Sequence, residues 1–249
     1  MNLSDNFIIG EHRSYRSFER HDVFTSFRVV VETSDLYIRA LKNLENEARS
    51  LIIECRSQIE RSIARRPEFL TSLDPIDAAP FDTPVAIKMI HAGKKAGVGP
   101  MAAVAGAVAE FVGRNLLASS DEIIVENGGD IFIHVKRPIV IGVYAGETTL
   151  GARFGIKIGP TVIPTGVCTS SAKIGPSTSF GRADAATVVS SDVSLADAVA
   201  TGLGNRIKTT KDLESGVQWA CKVDGVQAAL AICEDKIAVL GDVELVPIE

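Results

Sequence analysis

At 249 residues the chain has room for one large domain or two closely merged ones, and its 46% hydrophobic and 23% charged content is that of an ordinary globular protein. A net charge of −5 argues against a nucleic-acid-binding surface as its main business. No apolar run is of membrane-spanning length, the first residues lack the basic-then-apolar build of a signal segment, and the four cysteines have no metal-site spacing. The expectation is a reduced, cytoplasmic protein with no membrane or nucleic-acid partner.

In chain order, residues 7–31 read as extended. Phe24, Phe27, Val29 and Val31 are strand formers with arginines between them, and two strands in a hairpin around 19–22 are expected. Thr33-Ser34-Asp35 offers a helix cap. Leu44, Ala48, Ile52, Cys55, Ile59 and Ile63 recur at helical spacing, so a long helix is expected over 34–66, with Cys55 on its core stripe. Pro67 closes it, and Pro75, Pro80 and Pro84 mark 71–84 as a connecting loop. Small residues fill 85–117, interrupted by a Gly97–Pro100 turn, with a second helix over 100–117. Such a glycine-rich helix entry can receive a phosphate on free N–H groups, and can equally serve tight helix packing.

Residues 123–133 read as strand, glycine turn, strand. Asn127-Gly128-Gly129 supplies the turn, and Asn127 and Asp130 flank bare backbone on which a ligand can lie. Further strands follow at 139–144, 153–158 and 161–167, with Gly159-Pro160 turning one into the next. These turns favour antiparallel pairing. The expected fold is therefore α+β, helices packed on a mainly antiparallel sheet, as a single domain over 1–249. A helix at 213–222 and a hairpin at 226–233 and 236–240 close the chain, and the four histidines carry no motif.

Chemistry concentrates in 164–205. A short helix there places Asp197 and Thr201 at i and i+4, a carboxylate and a hydroxyl on one face, which suits a hard cation such as Mg²⁺. The Gly128-Gly129 turn and the hydroxyls of Thr169, Ser170 and Ser171 would donate to phosphates. Cys168 opens two readings. In a glycine- and hydroxyl-rich loop at a pocket mouth its thiol can have a depressed pKa and act as a nucleophile or sulfur carrier; alternatively it is a small buried residue at a strand end.

Taken together, the glycine-rich helix entry, Asn127-Gly128-Gly129-Asp130, Thr169-Ser170-Ser171 and Ala196-Asp197-Ala198-Val199-Ala200-Thr201 resemble, in that order, the ApbE-like superfamily. Its best-known members are flavin transferases, which use FAD and a divalent metal to place FMN, through a phosphoester, on a threonine of a target protein. The strings GVGPMAAVAGAVAE and GVCTSS look closest to a little-characterised cytosolic ApbE-related branch, one linked to sulfur assimilation into homocysteine. The resemblance implies an ApbE-like fold and Asp197 and Thr201 as metal ligands. It also implies a cofactor site at Asn127, Gly128, Gly129, Asp130, Thr169, Ser170 and Ser171.

Two departures put flavin transfer in question. The lysine of the family's Gly-Gly-Ile-Ala-Lys-Gly entry is absent from Gly97-Val98-Gly99-Pro100-Met101-Ala102. A His-Ile-Ile-Asp-Pro-like motif is replaced by Ser177-Thr178-Ser179-Phe180-Gly181. Three functions stay open: an ApbE-like transferase of altered chemistry, with sulfur transfer through catalytic Cys168; a flavin transferase; or a non-catalytic flavin- or nucleotide-binding module. Each needs a small-molecule ligand, with Mg²⁺ and FAD as candidate cofactors, and leaves a protein partner and an oligomer open.

Overall fold

A computed structural model describes residues 7–8, 23–146, 154–172 and 181–248. Eight strands form the larger sheet. Along the chain they are β2 (Thr25–Val31), β3 (Ser34–Ala40), β4 (Ile123–Asn127), β5 (Asp130–His134), β8 (Thr165–Ser170), β9 (Ala185–Ser190), β10 (Val226–Cys233) and β11 (Lys236–Gly241). Across the sheet the order is β11-β10-β9-β8-β5-β4-β3-β2, antiparallel at every pairing. A smaller sheet joins β1 (Phe7–Ile8), β6 (Ile139–Gly142), β7 (Phe154–Ile158) and β12 (Glu244–Pro247), with β1 parallel to β6. The architecture is the expected one, α+β on a mainly antiparallel sheet.

Period-two alternation makes the larger sheet the middle of three layers. One set of its side chains, including Val125, Phe132, Cys168 and Val188, packs on the helices. The other, including Ile124, Ile131, Val167 and Val189, packs on Ile139, Ile141 and Ile156 of the small sheet. The helical layer comprises α1 (Glu45–Arg65), α2 (Glu68–Thr71), α3 (Pro84–Ala96), α4 (Val104–Leu116), α5 (Val193–Arg206) and α6 (Leu213–Lys222). Among the described residues no single helix is long and apolar enough to cross a membrane. The α3–α4 pair passes that test only jointly, across a 102° bend.

Two expectations need correction. Residues 34–40 are strand, not the start of the helix. Ser34, Leu36, Ile38 and Ala40 are buried in strict alternation and pair with β2 across a tight turn in which Glu32 has φ 52°. That period-two pattern outweighs the Thr33-Ser34-Asp35 cap signal, and the helix begins at Glu45, whose N–H bonds to Asn43 Oδ1 at 2.9 Å. The hairpin expected around 19–22 lies outside the described residues; of the residues described there, β1 belongs to the small sheet and β2 to the large one. Gly159-Pro160 joins no hairpin. It carries the chain from β7 in the small sheet to β8 in the large one.

Candidate functional site

The site forms where β5, β8 and α5 meet. In the antiparallel register Asp130 stands directly opposite Cys168, and on the other side Cys168 stands opposite Val188. Alternation along β8 sends Gly166, Cys168 and Ser170 toward α5. A Cβ on Gly166 would lie 2.9 Å from Val193 Cα, and Ser170 lies beside Gly204. The helix therefore runs close along β8, its Val193 end over Gly166 and its Gly204 end over Ser170. Asp197 points back from it, and Thr201 follows one turn on.

Two helices cap each other. The N–H of Gly106, in the first turn of α4, donates to Asp197 Oδ2 at 2.8 Å, and the N–H of Ala105 lies near enough to favour the charged form of the same carboxyl. In return Glu110 of α4 accepts from Ser194 N at 3.3 Å and Ser194 Oγ at 3.2 Å in the first turn of α5. Neither α4 nor the four-residue 3₁₀ lead into it, Pro100–Ala103, has a side-chain cap of its own, so Asp197 supplies one from another helix. Gly106 makes this possible: a Cβ there would lie 2.6 Å from Val193 O and 2.8 Å from Asp197 Cβ. Asn127 completes the turn, its Nδ2 donating to Ala105 O at 3.1 Å. The glycine-rich entry is thus committed to packing. Gly97 is the left-handed cap of α3, Gly99 abuts Ser72, and the N–H of Gly106 is taken by Asp197.

Asp130 and Asp197 are 8% and 9% exposed, and Cys168 is fully buried. Burial pushes the Asp130 carboxyl up to about 7, with a hydrogen bond from Cys168 pulling the other way. Burial, then the field of Asp130, pushes Asp197 well above the usual carboxylate range, although the Gly106 and Ala105 N–H groups oppose this. Glu110 behaves in the opposite way. Burial would raise it, but Lys88 at 2.6 Å and Arg114 at 2.7 Å hold it below its ordinary value. Among the described residues neither Asp130 nor Asp197 has such a cation, and Asp130 Oδ1 has no hydrogen-bond partner at all.

Cys168 does not sit at a pocket mouth. It is a core residue in mid-strand, its Sγ–H facing Val193 O at 3.5 Å, and burial followed by the fields of Asp130 and Asp197 pushes its thiol well above the ordinary range. Thr169, Ser170 and Ser171 do not share a face either. Thr169 points to the opposite side of the sheet, where its hydroxyl meets that of Thr187 at 2.9 Å, while Ser170 faces α5. Gly129 is fixed by packing, since a Cβ would lie 2.7 Å from Thr169 O. Gly128, with φ 70°, has nothing within 4 Å of where its Cβ would be and leaves the turn's backbone open. Ser177–Phe180 lie outside the described residues. The sequence reading missed Gly106 and Glu110, and only the run of small residues around Gly106 hinted at a close approach.

Among the described residues no group of three or more His, Cys, Asp or Glu side chains could hold a metal ion. A cation between Asp130 and Asp197 would complete its shell with hydroxyl, backbone, ligand or water oxygens, as Mg²⁺ commonly does.

Comparisons with known proteins bear on the family and the fold. The family model described as AbpE bacteria matches residues 16–237. A UPF0280 protein of Methanocella arvoryzae is 44% identical over 192 residues, 76% of this chain and 78% of its own length. A UPF0280 protein of Methanothrix thermoacetophila is 41% identical over 220 residues, covering 87% and 91%. Among solved structures, the apo flavinyl transferase ApbE of Pseudomonas stutzeri superposes with a TM-score of 0.58 at 12% identity, covering 88% of this chain and 94% of that one. The flavin transferase ApbE of Vibrio cholerae gives 0.55 at 12% identity, covering 88% and 96%.

Proposed function

Because the chain belongs to the family described as AbpE bacteria, we propose that it is an ApbE-like transferase acting on a phosphate-bearing ligand of the FAD type with a divalent cation. The observation that supports this most is the buried carboxylate pair, Asp130 and Asp197, with no balancing cation among the described residues. Two carboxylates that a fold wanted only for stability would be paired, as Glu110 is with Lys88 and Arg114, because an unpaired buried charge costs several kcal/mol.

In this reading Asp197 holds the cation from α5, with the Thr201 hydroxyl one turn away and half-buried. When bound, Mg²⁺ would neutralise phosphate oxygens of the ligand and polarise the bond to be broken. The chain's own part is orientation. Gly106 N–H fixes the Asp197 carboxylate, Asn127 fixes Ala105, and the open backbone at Gly128 borders the site. Ser170 faces the same helix and is available to a phosphate, whereas Thr169 is occupied by Thr187 on the far face. Cys168 acts here as a neutral neighbour of Asp130. Its burial and raised pKa leave almost no thiolate at neutral pH, so sulfur transfer and homocysteine formation find no support at this position.

Isothermal titration of the purified protein with FAD, in Mg²⁺ and then in EDTA, tests the reading. FAD should bind in Mg²⁺ and lose most of its affinity in EDTA. No FAD binding under either condition, or binding indifferent to EDTA, would refute it.

A further inference from the structure

We propose that Asp130 is itself a cation ligand, so that the site is a two-carboxylate centre, Asp130 with Asp197, that takes up its divalent cation before any phosphate ligand arrives. This rests on the reading of the site as cation-dependent and adds a residue and an order of binding to it.

Three observations on Asp130 carry the inference. Its Oδ1 is buried, the residue being 8% exposed, and has no hydrogen-bond partner among the described residues. An orphaned buried carboxylate oxygen costs far more than an unmade bond between neutral groups, and native folds seldom keep one without an occupant. Its placement is set by the sheet and not by a mobile loop. Asp130 opens β5, lies against Asn127 in the hairpin register, and stands opposite Cys168 on the face that packs on α5. Finally, its neighbours leave that oxygen free. The single thiol proton of Cys168 faces Val193 O, and the Gly106 N–H of the α4 turn goes to Asp197 instead.

The contrast with a centre built from Asp197 and Thr201 alone is one of charge. A single carboxylate and a hydroxyl bring one negative charge, and Mg²⁺ held that weakly enters with the phosphates of its substrate. Two carboxylates bring two, enough to neutralise a divalent cation within the protein, and affinity for hard cations rises with the number of charged ligands.

Mn²⁺ titrated into the protein and followed by electron paramagnetic resonance, first alone and then with excess FAD, is the test. The wild type should bind Mn²⁺ without FAD. Asp130→Asn, or the smaller Asp130→Ser if the first does not fold, should bind Mn²⁺ alone at least about tenfold more weakly. The same variant should regain much of that affinity when FAD is present, and its unfolding temperature without cation should stay equal to or above that of the wild type. If the wild type binds Mn²⁺ only with FAD, or if the variants bind Mn²⁺ alone as tightly as wild type, Asp130 is not a ligand and the cation-dependent reading survives. A wild type that binds Mn²⁺ under neither condition overturns both.

Discussion

Gly106→Ala separates two opposite expectations for a glycine in a helix. In an exposed helix interior the change should stabilise by up to about 1 kcal/mol, because alanine is the better helix former. Here the new Cβ would fall 2.6 Å from Val193 O and 2.8 Å from Asp197 Cβ, both on α5 and neither the end of a flexible side chain. Relieving that overlap means moving α4 from α5, and overpacking of this kind costs roughly 1–3 kcal/mol. The same displacement stretches the 2.8 Å bond from Gly106 N to Asp197, and losing such a bond costs roughly 0.5–1.5 kcal/mol. After the helix-propensity gain the net expectation is a loss of about 1–4 kcal/mol. Urea unfolding at neutral pH, with wild type and variant compared at equal slope, reads this directly. A variant as stable as wild type, or more so, would show that α5 can retreat freely, and the account of Asp197 as a cap held in place by Gly106 would be wrong.

The remaining predictions concern charge and thiols. Asp130, pushed up to about 7, and Asp197, raised well above its ordinary value, both bind protons more tightly in the folded state than in the unfolded one. For such acids stability is present at low pH and is lost as pH climbs from the unfolded pKa, near 4, through the folded one. Without divalent cation the urea midpoint should therefore fall between pH 5 and pH 8, a range that lies above the titration of the lowered carboxylates such as Glu110. A flat or rising midpoint would contradict it. With an aromatic disulfide reagent under native conditions, half-buried Cys221 should react first. Cys55, pushed up to about 12 by burial, and Cys168 should react only on unfolding. Rapid native labelling of Cys168 would reopen its case as a nucleophile.

How much the sequence disclosed depended on whether a signal was local. Helix α6 and the hairpin of β10 and β11 lie where their periodicity and turn residues put them, because each is specified by neighbours in the chain. Residues 34–40 were misread for the same reason. Thr33-Ser34-Asp35 is a good local cap, but what decides the segment is pairing with Phe27 and Val29 on one side and Val125 on the other. Asp197 and Asp130 stood out as acidic residues in small-residue surroundings. Their meeting through Cys168 was not legible, since it depends on the register of β5 against β8 and on the approach of α5 that Gly166 and Gly106 permit. Nor could hydroxyl density show that Thr169 and Ser170 face opposite sides of a strand, which follows only once Thr169-Ser170 is known to continue β8 instead of leaving it as a loop.

The two carboxylates differ in what they do for the fold, and that difference decides how each should be probed. Asp197 does two jobs at once. Its carboxylate ties down the first turn of α4, and removing it would release the N–H of Gly106 in a buried place. Any loss of ligand binding in Asp197→Asn or Asp197→Ala would then mix a missing cation ligand with a loosened helix, a cap being worth roughly 0.5–2 kcal/mol. Asp130 has no such structural duty at Oδ1, which bonds to nothing among the described residues. Removing its charge relieves repulsion with Asp197 and takes away no hydrogen bond at that atom. A fold selected for stability alone would favour asparagine or a small apolar residue at position 130, since a buried charge left unpaired is a cost with no return in the empty state. An ionised carboxylate there is stabilised once a centre is completed by something positive, and that is why position 130, more than position 197, is where the cation reading stands or falls.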